Sequence, residues 1–276
     1  MKKNILVTGA TGFLGRRMLK ELTKINNGAI VGISQSEKRI TEVTRQYKNA
    51  SFYCVDISCD KEQLDHIMKK HNIEYVIHAA AMKHVGICEK NPSRAVAVNV
   101  VGSKNIIDLC QNNGIKNLIA ISTDKVINPS CIYGVTKYLM EKMILEKGWS
   151  IYRGVNFLFS DGSVLDVWRD QMNSLEPIGI NTRNTTRFFV DIGDVCTSII
   201  DNLDSNKKIL IPNQCYKVKL HDLAKAFCQV NNYHNVTDYY DINVEKMVEE
   251  IPNGIDVLDT TPTILEGILL EQQKLN

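Results

Sequence analysis

Tyr133 and Lys137 stand four residues apart in the run Tyr-Gly-Val-Thr-Lys. Within a helix that interval puts both side chains on one face, one turn apart. An ammonium close to a phenol lowers the phenol's pKa, so Tyr133 could exchange a proton with a substrate hydroxyl while hydride moves to a nicotinamide. Lys137 could also hold the nicotinamide ribose. Alone, the pair reads equally well as two surface residues of a helix. Ten residues before Tyr133, however, lies Ser122-Thr123-Asp124-Lys125, closing an apolar run with the pattern of a strand. The carboxyl ends of parallel strands form the ligand crevice of an open sheet. The two motifs therefore converge on one edge.

A second chemical signature sits near the start of the chain: Thr8-Gly9-Ala10-Thr11-Gly12-Phe13-Leu14-Gly15. Gly9 permits a tight turn after a strand, Gly12 lets the backbone approach a pyrophosphate, and Gly15 lets the following helix pack closely. Thr11, Phe13 and Leu14 complete the turn, whose helix N-terminus offers free N–H groups to phosphate. An acid at the tip of the second strand would bind the ribose hydroxyls of NAD. This chain has none there; Ser34, Ser36, Lys38 and Arg39 could surround a 2′-phosphate, which favours NADP, with NAD as the alternative. Lys38 and Arg39 could instead be the solvated first turn of the next helix. Asp56 and Ile57, after the third strand, are expected at the adenine.

The elements that must carry these residues follow from the apolar pattern. Strand-like runs cover residues 4–8, 29–33, 51–55, 75–78 and 117–121, and less clearly 151–159. Amphipathic stretches at 14–24, 61–71, 95–113 and 132–147 separate them. Strands alternating with helices of this length imply βαβ units, an α/β class and a doubly wound parallel sheet. After about residue 160 the rhythm breaks: a polar segment over 160–184, a strand at 187–190, a helix at 194–203, a strand at 208–211 and helices at 220–230 and 263–273. The expected organisation is a dinucleotide-binding domain over 1–159 and a smaller α+β substrate-binding region over 160–276, from which segments return to the sheet. Trp168, Phe188 and Phe189 are expected in the core.

With 276 residues the chain can bury a sizeable core. A net charge of +2 argues against nucleic-acid or anionic-membrane partners. The eight cysteines are scattered, without Cys-x-x-Cys spacing or clustering with His, so they read as free thiols and no metal site is expected. The apolar run at the N-terminus is too short for a signal peptide, and no stretch is long enough to span a membrane. A cytoplasmic location is expected.

Gly-x-x-Gly-x-x-Gly, Asn99 and Tyr-x-x-x-Lys together resemble the extended short-chain dehydrogenase/reductase family, with its Rossmann sheet. Longer blocks narrow the likeness. His78-Ala-Ala-Ala-Met-Lys83-His84-Val85, Glu89-Lys-Asn-Pro92, Asn99-Val-Val-Gly102-Ser-Lys-Asn105 and Ser122 to Pro129 are similar to the nucleotide-sugar 4,6-dehydratases of polysaccharide biosynthesis. The likeness continues through Arg153, Asn156, Gly162-Ser163-Val164, Thr186-Arg187-Phe188-Phe189 and Val244-Glu245-Lys246. It implies a cofactor site that includes Ala79, Ala80, Ala81, Lys83, Asn99, Tyr133 and Lys137. It also implies UDP-N-acetylglucosamine or a close relative as substrate, bound by Lys83, Asn156 and Arg187, although Arg187 could equally be a surface charge beside an edge strand.

In the implied cycle Tyr133 takes the proton of the C4 hydroxyl and Thr123 hydrogen-bonds the C4 oxygen. Lys125, its pKa drawn down by burial near Lys83 and Lys137, removes the C5 hydrogen, and Asp124 protonates the departing C6 hydroxyl. Asp124 and Lys125 could otherwise form a simple ion pair capping the strand. The family usually reads Arg-Tyr-Gly-Asn and Ser-Arg-Gly-Ser where this chain has Arg153-Gly154-Val155-Asn156 and Ser160-Asp161-Gly162-Ser163. Alternatives are a keto-sugar reductase or epimerase on the same fold and, in another class, a non-catalytic dinucleotide sensor. Family members commonly pair through the helices at 95–113 and 132–147, so a homo-oligomer is expected.

Overall fold

Ile5, Leu6, Val7 and Thr8 form strand β1 and are all buried, as a strand covered on both faces requires. The computed structural model that contains it describes residues 1–180, 185–238 and 253–275. The Val244-Glu245-Lys246 block lies outside the described residues. β2 (Ile30–Ser34), β3 (Ser51–Cys54), β4 (Tyr75–His78), β5 (Asn117–Thr123) and β6 (Ser150–Gly154) join β1 in one parallel sheet. Its order is Ile209–Leu210, β6, β5, β4, β1, β2, β3. The order reverses direction between β1 and β4, and that switch point opens the crevice in which ligands bind.

Helix α1 (Phe13–Ile25) follows β1 and buries Leu14, Gly15, Met18, Leu19 and Leu22, one stripe at helical spacing. α2 (Glu37–Gln46) starts at Ser36, whose hydroxyl accepts from Arg39 N. α3 (Lys61–Lys70) precedes β4, and α4 (Val85–Lys90) and α5 (Pro92–Val96) follow it. The expected continuous helix over 95–113 is interrupted. Ala97–Gly102 forms a π-turn between α5 and α6 (Ser103–Asn112). The wider turn draws Asn99 inward, where its side chain is fully buried. A short 3₁₀ turn, Asp124–Val126, continues β5, and α7 (Ile132–Glu146) carries the Tyr-x-x-x-Lys pair.

One run differs from expectation. The run expected over 151–159 divides: β6 ends at Gly154, and Asn156–Phe157 pairs in a different sheet. Two apolar pairings were available to one continuous apolar run, and only tertiary contacts choose between them. Residues 208–211 are a segment of the later chain that returns to the sheet, where Ile209–Leu210 forms the edge strand parallel to β6. The chain divides into one compact unit of Met1–Gly154 with Ile192–Ile211 and another of Val155–Asp191 with Pro212–Asn276. Helix Ile192–Asp201 belongs with the first unit, and Asn117 Nδ2 secures the segment after it by donating to Leu203 O at 3.0 Å.

In the second unit, Asn156–Phe157, Thr186–Val190, Gln214–Lys219 and Asp256–Asp259 form a mixed four-stranded sheet. Ile178–Ile180 pairs with Val236–Asp238. Trp168 and Phe189 are buried, as expected of core residues, and Phe188 is half-buried. The Trp168 indole donates to Gly179 O at 3.0 Å and packs against Phe227.

Candidate active site

The turn after β1 has the shape of an anion cradle. Gly9 has φ +66°, and a Cβ there would lie 2.7 Å from Ala80 N. A Cβ on Gly15 would overlap Gly9 O and the Ala10 backbone. Only glycine fits either position. Gly12, in extended conformation at the N-cap of α1, has no side-chain cap, and the first turn has no acidic residue. Its Cα faces open space apart from Gly9 O at 3.3 Å from a notional Cβ. Uncapped N–H groups and the positive end of the helix thus face a gap that suits a pyrophosphate. Arg16 Nη1 donates to Thr11 O at 2.7 Å, and the Thr11 and Ser34 hydroxyls are 2.7 Å apart, tying the turn to the tip of β2.

At that tip Ser34 is half-buried, while Lys38 and Arg39 are exposed on the first turn of α2. The residues of the glycine turn fit a dinucleotide, and the tip of β2 bears no acidic side chain. Asp56 is engaged: Ser58 N and Oγ donate to its Oδ1 at 2.9 and 2.6 Å, and Arg94 Nη2 to its Oδ2 at 2.7 Å. These bonds hold the Asp56 carboxyl below its ordinary range against the opposing effect of burial. Arg94 also reaches Gln35 Oε1 at 2.8 Å, bridging the ends of β2 and β3. Sequence reasoning passed over Arg94, because its partners lie 36 to 59 residues away and form no local pattern. Ile57 is buried.

At the end of β5, Thr123 and Asp124 are buried and Lys125 is half-buried. Thr123 Oγ1 donates to Asp124 Oδ1 at 2.7 Å, and Lys125 Nζ reaches the same oxygen at 3.3 Å. Asp124 Oδ2 is buried and has no hydrogen-bond partner among the described residues. Tyr133, in the first turn of α7, lies near enough to Thr123 and Asp124 for both to act on its phenol, so these residues form one cluster. The start of α7 is pinned twice: Cys131 Sγ accepts from Gly134 N at 3.4 Å, and Glu89 Oε1 accepts from Ile132 N at 2.7 Å.

The electrostatic balance runs opposite to the expectation that Lys137 lowers the Tyr133 phenol. Burial, with the Asp124 carboxylate adding to it, pushes the phenol's pKa up. Lys137 itself is pushed down to about 7 by burial, partly opposed by Glu141 one turn further along α7. Its Nζ donates to Met140 Sδ at 3.0 Å. Glu141 is held by Arg153 of β6 through two bonds, at 3.0 and 2.6 Å.

The loop after β4 contributes Ala79, Ala80 and Ala81, all half-buried, with Ala79 N donating to Thr8 O and Ala80 N to Thr8 Oγ1. Asn99 binds this loop at both Met82 N and Met82 O. Lys83 and His84 are exposed. Asn156 and Arg187 belong to the second unit, both half-buried: Asn156 Nδ2 donates to Phe188 O at 2.9 Å and Arg187 Nη1 to Thr186 O at 3.1 Å. Among the described residues no group of His, Cys, Asp and Glu could hold a metal ion, and no helix is long and apolar enough to cross a membrane.

Comparison with known proteins gives the family and the fold. Residues 5–259 match a family model described as polysaccharide biosynthesis protein. A UDP-N-acetylglucosamine 4,6-dehydratase (inverting) of Campylobacter jejuni is 33% identical over 82% of this chain and 71% of its own length. An uncharacterized membrane protein of Methanocaldococcus jannaschii is also 33% identical, over 72% of this chain and 62% of that protein. The chain spans only 46% of a Bacillus subtilis polysaccharide biosynthesis relative. The crystal structure of Pen from Bacillus thuringiensis superposes with a TM-score of 0.87 at 22% identity over 98% of each chain, which establishes the shared fold. With its glycine turn, its parallel sheet and its Tyr-x-x-x-Lys helix, the chain belongs to the polysaccharide biosynthesis protein family, in the nucleotide-sugar dehydratase branch of the extended short-chain dehydrogenases/reductases.

Proposed function

We propose that the chain is an NADP-dependent nucleotide-sugar 4,6-dehydratase that acts on UDP-N-acetylglucosamine or a close relative and can invert C5. The observation that carries this reading is the cluster at the end of β5, where Asp124 takes a hydrogen bond from Thr123 and pairs with Lys125, with the Tyr133 phenol close enough to feel both Thr123 and Asp124. Epimerisation at C4 needs only the tyrosine and a dinucleotide. Dehydration also needs a base at C5 and an acid at C6, and Lys125 and Asp124 supply those groups. The buried, unpartnered Asp124 Oδ2 is suited to meet a substrate hydroxyl.

Bound NADP supplies a hydride acceptor that later returns the hydride. Tyr133 accepts the C4 hydroxyl proton, and Thr123 steadies the C4 oxygen. The resulting ketone acidifies the C5 hydrogen, which Lys125 removes. Asp124 gives a proton to the departing C6 hydroxyl, which leaves as water, and a proton returned to C5 from either face sets the stereochemistry. Gly9, Gly12 and the N-terminus of α1 hold the pyrophosphate, and Ser34, Ser36, Lys38 and Arg39 the ribose phosphate. An exposed apolar face on α4, α5, the π-turn and α7, with Ile87, Val96, Val101, Val135 and Leu139, supports pairing of two copies. The free cysteines suit a reducing cytoplasm.

Proton NMR of the dinucleotide-loaded protein with UDP-N-acetylglucosamine in deuterated buffer tests the reading. A new C6 methyl signal, with deuterium at C5, is expected. An unchanged substrate spectrum overturns it in favour of a reductase or epimerase that acts on a preformed keto-sugar. Some relatives favour that second reading: a Rickettsia massiliae protein named UDP-glucose 4-epimerase is 30% identical over 70% of this chain. Intact Tyr133 and Lys137 count against a non-catalytic dinucleotide sensor.

A further inference from the structure

His78 has no part in the chemistry above, yet its titratable side chain is almost completely enclosed. It ends β4 and pairs in register with Thr8, which ends β1. Its relative exposure is 1%, and that of Thr8, Asn99 and Ser103 is 0%. Both ring nitrogens are engaged: Nδ1 lies 2.7 Å from Thr8 Oγ1 and Nε2 lies 2.9 Å from Ser103 Oγ.

Counting protons assigns every donor. Ser103 has one hydroxyl proton and gives it to the Asn99 carbonyl at 2.7 Å, so its oxygen can only accept from the ring. Nε2 therefore carries the proton. Burial, helped by the nearby Lys137, holds the His78 pKa down to about 3, so the ring is neutral and Nδ1 is a bare acceptor for the Thr8 hydroxyl. Thr8 Oγ1 in turn accepts from Ala80 N at 3.1 Å. On the other side, Asn99 donates to Met82 O at 2.9 Å and to Thr136 Oγ1 at 3.0 Å, and Thr136 Oγ1 donates to Tyr133 O at 2.9 Å. Hydrogen bonds thus run from Thr8, the residue before Gly9, through His78 and Ser103 to the main-chain carbonyl of Asn99, and from the Asn99 side chain through Thr136 to the carbonyl of Tyr133.

We propose that His78 is a positioning residue: held as the Nε2–H tautomer, it couples the glycine turn, through Thr8, to the π-turn and the tyrosine helix, through Ser103 and Asn99. The two arms serve different ends. The Thr8 arm sets the geometry of the dinucleotide turn and the Ala79–Ala80 loop beside it. The Ser103 arm sets Asn99 and, beyond it, the first turn of α7. The turnover half of this inference rests on the proposed dehydratase reaction; the dinucleotide half does not.

The ring's two nitrogens can be replaced one at a time. His78→Asn places an amide oxygen near the Nδ1 position and leaves Ser103 without its donor. His78→Gln places an amide nitrogen near the Nε2 position and leaves Thr8 without its acceptor. For the full-length chain, NADPH affinity is read by fluorescence titration, kcat and KM with UDP-N-acetylglucosamine, and hydrogen exchange over residues 79–103. H78N is expected to bind NADPH within about twofold of the parent, while kcat falls about tenfold at unchanged KM and exchange rises over residues 97–103. H78Q is expected to keep kcat at saturating dinucleotide while its NADPH affinity falls about tenfold. Thr8→Val, which removes only a hydroxyl, must reproduce the H78Q pattern, and it decides the matter if either histidine variant does not fold. Equal losses in both arms for both histidine variants, or unchanged NADPH affinity in T8V, would overturn the assignment. A parent protein without turnover refutes the dehydratase reading alone, because the affinity and exchange contrasts still decide the role of His78.

Discussion

Replacing Lys137 by Met removes a cation that the fold holds against its preference. Lys137 is 3% exposed, and its pKa of about 7 lies well below the 10.5 of a solvated lysine, with burial as the leading cause. Above pH 10.5 the amine is neutral in both the folded and the unfolded chain, and burial costs nothing through ionisation. Between pH 10.5 and about 7 the unfolded chain binds a proton that the folded chain does not, so stability falls as the pH drops, by about 1.36 kcal/mol for each pH unit. Below about pH 7 both states are charged and the cost is constant. At pH 7 it amounts to roughly 4 kcal/mol, a large share of a typical domain's stability. Lys137→Met, with a stem of similar length, is therefore expected to be more stable than the parent by roughly 4 kcal/mol at pH 6 to 7 and by about half of that at pH 9. Urea unfolding at pH 6, 7.5 and 9, extrapolated linearly, measures the difference. The same variant should lose turnover, the trade expected where a strained charge serves catalysis. A stability difference that does not change with pH would refute the reasoning.

Three other perturbations follow from the same geometry. Gly15→Ala pushes a methyl into Gly9 O and the Ala10 backbone, so it should abolish NADPH binding and lower stability by about 1–3 kcal/mol, read by fluorescence titration and thermal melting; retained affinity would contradict the close packing. Arg153→Met strands Glu141, only 2% exposed, and should cost about 3–5 kcal/mol in urea unfolding, whereas a loss under about 1 kcal/mol would mean that the pair is not truly enclosed. Lys38→Ala with Arg39→Ala should weaken NADPH binding about tenfold while leaving NADH binding unchanged; parallel losses would place both side chains outside the phosphate site.

What the sequence made legible was local. Gly9, Gly12 and Gly15 are spaced by the demands of one turn, and Tyr133 and Lys137 by the pitch of one helix, so each could be read without knowing the rest of the chain. The apolar runs of β1 to β5 are likewise self-contained. The features that escaped notice depend on partners distant in sequence. Arg94 meets Asp56 and Gln35 only because α5 returns to the ends of β2 and β3. Glu141 finds Arg153 across a helix–strand contact. The π-turn is a matter of which carbonyl each N–H selects, and an apolar periodicity of about 3.6 residues does not record that choice. The run at 151–159 reads as a single strand for a related reason. Both of its halves suit a strand, and only the sheet order separates Gly154 from Asn156.

The π-turn at Ala97–Gly102 also bears on how this segment tolerates a change of length. A π-turn amounts to one surplus residue accommodated within a helix. Removing one residue, Val100 for example, would allow α5, the turn and α6 to fuse into a regular α-helix with a full ladder of hydrogen bonds. Everything on the N-terminal side would then rotate by about 100° relative to α6. Arg94 would swing away from Asp56, and Asn99 from Met82. The shortened helix would be the more regular structure, yet the loop beside the glycine turn would lose its tether. In this helix a single deletion would therefore act as a register change in three dimensions, with regularity gained at the expense of the active-site geometry.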